Sequence, residues 1–144
     1  MNKVSVMLDF KRINGKFHKA LTNSLKELNV EITPVQSRLL LFINDNGEVT
    51  ATDIIDNFRS VNKSTLSEIL NNLEKNGYIL RCESKDDCRK KTISLTDKSK
   101  EVVKVLKNNF DKVSDKVLNG ISKNEFTIFK EILDKIERNT DNIC

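Results

Sequence analysis

Between Lys63 and Lys91 the chain sets short hydrogen-bonding side chains beside a group of cations. Lys63, Ser64, Thr65, Ser67, Glu68 and Asn71 come first, and Lys85, Asp87, Arg89, Lys90 and Lys91 follow. Carboxamides and hydroxyls of this kind suit the edges of nucleobases. Asn can pair bidentately with adenine, and Ser or Thr can serve either strand. Lysines neutralise phosphates. An arginine can enter a narrow, electronegative minor groove, and a neighbouring carboxylate can hold its guanidinium in position. The chemistry that these residue types support is recognition of double-stranded DNA.

Two elements must position them. Residues 62–76 read as a helix closed by Gly77. With Leu66 at zero and about 100° per residue, Leu66, Ile69, Leu70 and Leu73 cluster on the core side. Ser64, Glu68, Asn71 and Lys75 point away, flanked by Ser67 and Asn72, with Thr65 nearer the edge. The helix N-terminus also presents free backbone N–H groups to phosphate. A basic hairpin follows, Tyr78–Glu83 and Lys91–Leu95 around a charged tip. A polar helix face alone is usually just solvated. The helix before it, the short turn and the basic hairpin after it favour the DNA reading.

The remaining elements are helical. Phe10, Ile13, Phe17, Leu21, Leu25 and Leu28 recur at three- and four-residue spacing over residues 4–28. Thr33-Pro34-x-Gln36 has the form of a capping box with Pro at the first helical position, and that helix should stop at Asn46-Gly47. Glu48–Thr50 reads as a short strand, and Thr50 with Asp53 opens a third helix. Thr96-Asp97 starts a long helix with Val102, Val103, Leu106, Phe110, Val113 and Val117 on one stripe. Asn119-Gly120 ends it, and Ser122-x-x-Glu125 opens a last helix carrying Phe126, Phe129, Leu133 and Ile136. The expected fold is mainly α with a small β-hairpin wing. Residues 33–96 form a winged helix-turn-helix core, and 1–32 with 97–144 form a helical dimerisation lobe. The apolar stripes of the terminal helices predict a homodimer.

The 144 residues suffice for a core without disulfide staples. The net charge of +4 is mild, but eight Lys/Arg stand against five Asp/Glu between Arg59 and Lys91, so most of the excess lies there. No secretory signal or membrane-length apolar run is visible, and three scattered cysteines fit a reducing cytoplasm. His18 is the single histidine and lies in no ligand cluster, so no metal is expected. No phosphate loop or nucleophile–base arrangement points to an enzyme, and no cofactor is implied.

These residues together resemble the MarR family of bacterial transcription regulators. The resemblance rests on Ile32-Thr33-Pro34-x-Gln36, Ser64-Thr65-Leu66-Ser67, Leu73–Ile79, Asp87-x-Arg89-x-x-x-Ile93-x-Leu95-Thr96 and Leu118–Ser122-x-x-Glu125. It implies a homodimeric regulator, generally a repressor, on a pseudo-palindromic operator. It also implies release by a small ligand, often an aromatic or phenolic acid, bound between the two lobes. By position, Ser64, Thr65, Ser67 and Asn71 would approach the major groove, Arg89 would be the wing arginine and Asp87 its steadying partner. Glu68 departs from the family, where a cation is frequent. Ser99 replaces a frequent glycine, a change expected to matter little.

A ligand pocket would draw on the first and second helices and the start of the fifth, with Phe10, Phe17, His18, Arg38 and Phe42 as the candidate residues. Cys88, between Asp87 and Arg89, could be a redox-sensitive thiol, and Cys82 is expected to face the core. The competing readings are a winged-helix protein-interaction module without specific DNA binding and a thiol-based redox-responsive regulator.

Overall fold

The structure, a computed structural model, describes residues 1–83 and 91–144. Among these, α1 (Lys3–Glu27), α2 (Pro34–Asn46), β1 (Glu48–Thr50), α3 (Ala51–Asn57) and α4 (Lys63–Lys75) come first. The strands β2 (Ile79–Glu83) and β3 (Lys91–Leu95) follow, then α5 (Asp97–Val117) and α6 (Lys123–Asp141). Two compact units divide the chain, Met1–Val113 and Ser114–Cys144. The mainly helical winged-helix architecture agrees with the sequence reading.

Helix starts follow local chemistry. Thr33 and Gln36 satisfy each other's backbone N–H groups at 3.2 and 3.0 Å, with Pro34 at the first helical position. Thr50 and Asp53 do the same at 3.2 and 2.8 Å, and Ser122 and Glu125 at 3.1 and 2.8 Å. Each reciprocal pair fills two donors that the helix itself cannot. The bonds from Ser122 also hold the Glu125 carboxyl below its ordinary pKa, because they favour the charged form.

The core of the first unit gathers Leu25, Leu39, Leu40, Ile43, Val49, Ile54, Leu66, Leu73, Ile79, Ile93 and Leu106 among its buried side chains. The expected apolar stripe of α1 meets this core only near its C-terminal end. Leu21 and Leu25 are buried, whereas Ile13 and Leu28 are exposed. In α5, likewise, Val103 and Leu106 are buried and Val117 is exposed.

The sheet is antiparallel in the order β1-β3-β2. Val49 and Arg81 both face Ile93 across the ladder, and Ile79 faces Leu95. Because Ile79 is buried, strand alternation turns Leu80 and Cys82 to the other side. Leu80 is 52% exposed and Cys82 is exposed. The expectation of a core-facing Cys82 is therefore corrected: the alternation was right but assigned to the wrong face.

The end of α4 is a Schellman turn. The Gly77 N–H donates to the Glu74 carbonyl at 3.0 Å, and the Tyr78 N–H to the Leu73 carbonyl at 2.8 Å. Gly77 has φ +78°, where an L side chain is disfavoured. The start of α5 closes on the same place. Thr96 Oγ1 donates to the Gly77 carbonyl at 2.6 Å, and Ser99 Oγ to the Tyr78 carbonyl at 2.6 Å. The Thr96 N–H donates to Ser99 Oγ at 3.0 Å. Ser99 has no exposed surface. The expectation that Ser99 matters little is overturned, because a buried hydroxyl joins two elements here.

Gly77→Ala should lower stability by about 1–2 kcal/mol, the cost of a left-handed L residue. Denaturant unfolding followed by circular dichroism measures it, and an unmoved midpoint would mean that the turn has another accessible geometry.

Candidate nucleic-acid interface

α3, a short turn and α4 make the helix-turn-helix, with the Val61 N–H donating to the Phe58 carbonyl at 3.0 Å inside the turn. Leu66, Leu70 and Leu73 of α4 are buried and Ile69 is half-buried. Each fully buried leucine contributes roughly 1.5–3 kcal/mol. This inner face orients the outer one: Lys63, Ser64, Thr65, Ser67, Glu68, Asn71 and Lys75 are all exposed. Every expected α4 residue is thus exposed, and Ser64, Glu68 and Asn71 lie opposite the buried leucines.

Asn62 organises the start of that surface. Its Oδ1 accepts from the Thr65 N–H at 2.8 Å and from the Ser64 hydroxyl at 2.8 Å. The first turn of α4 contains no acidic residue and begins with Lys63. Its N-terminal N–H groups keep their partial positive charge without a competing carboxylate.

Lys91 is exposed at the start of β3. Lys85, Asp87, Cys88, Arg89 and Lys90 lie outside the described residues, so the expectations for the wing tip rest on sequence alone. Arg81, counted in the basic excess, turns back to α4, with Nε 3.7 Å from Glu74 Oε2.

The candidate pocket residues divide. Arg38 and Phe42 share an open groove of about 440 Å³ with Leu41, Asp45, Lys107, Phe110 and Asp111, between α2 and α5. Phe42 meets Phe58 edge-on at 5.7 Å, and the Arg38 guanidinium lies 5.8 Å from the Phe58 ring centre. Phe17 does not line the groove but stacks edge-on against Phe110 at 5.8 Å. Phe10 and His18 are not among its lining residues, and His18 is exposed. The sequence reading drew on the start of α5 for the pocket but named none of its residues there, nor Leu41 and Asp45 of α2. Lys107, Phe110 and Asp111 meet α2 only through tertiary packing, which local spacing does not reveal.

Residues 31–90 match the sequence model of the MarR family. The HTH-type transcriptional regulator BilQ of Clostridioides difficile (strain CD3) is 30% identical over 87 residues, which is 60% of this chain. The chain is thus similar to the MarR family over residues 31–90, less than half of its length. The match spans only 58% of BilQ's own length. Among solved structures, a Listeria monocytogenes protein assigned to the MarR family and complexed with 26mer DNA superposes with a TM-score of 0.81. It is 22% identical, with 92% of this chain and 87% of that chain covered. A MarR variant from E. coli complexed with operator DNA gives a TM-score of 0.73 at 18% identity, covering 94% and 99%. At these identities the structures establish the shared fold.

Asn62 is the residue of this surface that sequence reasoning passed over. The signal was present, since Asn is among the preferred helix caps. Asn62→Ala should cost about 1 kcal/mol of stability, whereas Asn62→Asp should retain most of the cap. Thermal unfolding of both variants checks this, and equal losses in the two would argue against the cap.

Proposed function

We propose that the protein is a homodimeric transcription regulator, acting as a repressor on a pseudo-palindromic DNA operator. The observation that carries this reading is the outer face of α4. Ser64, Thr65, Ser67 and Asn71 stand exposed together, with Lys63 at a helix start free of acids. Asn71 would read a base edge, Ser and Thr would adapt to either strand, and Lys63 and Lys91 would meet phosphates. The DNA complexes among similar folds support the reading. From sequence, Lys85, Arg89 and Lys90 would extend the contacts along the wing, with Asp87 steadying Arg89. A regulator of this kind is not an enzyme and works in the cytoplasm. Among the described residues no helix is long and apolar enough to cross a membrane.

Dimerisation would use residues 1–32 and 97–144. Val4, Met7 and Leu8 of α1 are exposed, and in the other unit α6 exposes Phe126, Phe129 and Ile132 and buries none of its residues. Apolar side chains left in water at helical spacing are characteristic of an interface. A small aromatic ligand would enter the α2–α5 groove, where Phe42 and Phe110 offer ring faces and Arg38 and Lys107 offer cations to a carboxylate.

Fluorescence anisotropy against duplex DNA from upstream of the protein's own gene, with a random duplex as control, tests the central reading. With roughly 6–10 phosphate contacts, affinity should fall on the order of 10³–10⁵-fold between 50 and 200 mM salt. The upstream duplex should also bind more tightly than the control. No binding to either at low salt would favour a protein-interaction module instead. Repeating the titration with a panel of phenolic acids tests the groove, and an unchanged affinity throughout would remove it from the mechanism. Sedimentation equilibrium of the full chain should return twice the monomer mass, and a monomer at micromolar concentration would remove the dimer.

A further inference from the structure

Three consecutive carbonyl oxygens at the end of α4 are each taken by a side chain from the start of α5. Lys98 Nζ donates to the Asn76 carbonyl at 2.7 Å. Thr96 Oγ1 donates to the Gly77 carbonyl at 2.6 Å, and Ser99 Oγ to the Tyr78 carbonyl at 2.6 Å. The Lys98 ammonium also lies 4.5 Å from the centre of the Tyr78 ring, a cation–π contact that fixes the lysine over this turn. A cation at a helix C-terminus is favoured by the helix dipole.

We infer that Thr96, Lys98 and Ser99 are positioning residues that clamp the C-terminal end of α4 to α5 and so set the angle at which the outer face of α4 is presented. This rests on the DNA-binding reading for its functional consequence, but the clamp itself is a property of the fold. The three donors fix three points along one short stretch of backbone. The buried leucines hold α4 on the core, and three bonds in succession fix the residual rotation that a single bond would leave at its end. A shift of α5 would therefore be passed to α4 as a rotation. Ser64 and Thr65 lie about three turns from this point and Asn71 little more than one, so a small rotation at the clamp displaces Ser64 and Thr65 most.

The test uses the full chain with Cys82, Cys88 and Cys144 replaced by Ser and spin labels at Asn72→Cys on α4 and Lys104→Cys on α5. With the labelled chain diluted in an excess of unlabelled chain, so that only distances within one chain are read, EPR should show one narrow population in this parent. Ser99→Ala and Lys98→Met should broaden or shift it, and Lys98→Arg should restore it. Distances unchanged by Lys98→Met and Ser99→Ala would overturn the clamp. Lys98 is exposed, so its variants keep the test open if Ser99→Ala fails to fold. In the anisotropy assay Ser99→Ala, which alters no charge, should weaken binding to the upstream duplex about tenfold, equivalent to roughly 1.4 kcal/mol. If the parent binds neither duplex, the DNA reading falls while the distances still decide the clamp.

Discussion

A helix that ends inside a protein must find donors for its last carbonyls. At the end of α4 the Schellman turn meets the carbonyls of Leu73 and Glu74, and the three carbonyls just beyond the helix take donors from the chain some twenty residues later, after it has run out along β2 and back along β3. Thr96, Lys98 and Ser99 meet Asn76, Gly77 and Tyr78 at one place. The hairpin therefore leaves and returns through a single closed junction. The register of β2 on β3, with Ile79 opposite Leu95, begins next to it. A hydroxyl with no exposed surface is a demanding choice here, because an unmet buried donor costs about 1–3 kcal/mol. Ser99 avoids that cost by donating to one element while accepting from Thr96.

The consequence for α4 is a division of labour. The inner face is held by three buried leucines, whose combined burial outweighs any single cap or surface contact. The two ends are held by Asn62 and by the α5 junction. With the inner face and both ends secured, the outer face carries little structural duty. Among the described residues, Ser64 alone of this face is drawn into the scaffold, through its bond to Asn62. Thr65, Ser67, Glu68 and Asn71 can thus be chosen for what they meet outside the protein.

Sequence patterns made the local devices readable. Each capping box spans four residues, and Thr33–Gln36, Thr50–Asp53 and Ser122–Glu125 all form as their spacing suggests. What escaped was non-local. Ser99 looked replaceable because its partner, Tyr78, is 21 residues away. The face of Cys82 was misjudged because alternation has two phases, and only the burial of Ile79 selects one. The three α5 residues among the seven that line the α2–α5 groove went unnamed for the same reason, since Phe110 meets its neighbours only after α5 packs.

Glu68 shows the same division from the other side. It is exposed and lies opposite the buried leucines, so the scaffold does not require a carboxylate there. On the DNA reading its charge must be judged against phosphate. Non-specific binding is almost wholly electrostatic, so one negative charge on the reading face weakens every encounter. Where a cytosine amino group is within reach, the carboxylate can accept from it and recover part of that loss. The net effect is lower affinity everywhere and a smaller deficit at selected sequences. A carboxylate in this place therefore trades strength for discrimination, and the mild overall charge of the chain is consistent with a protein that relies on base contacts more than on a broad positive field.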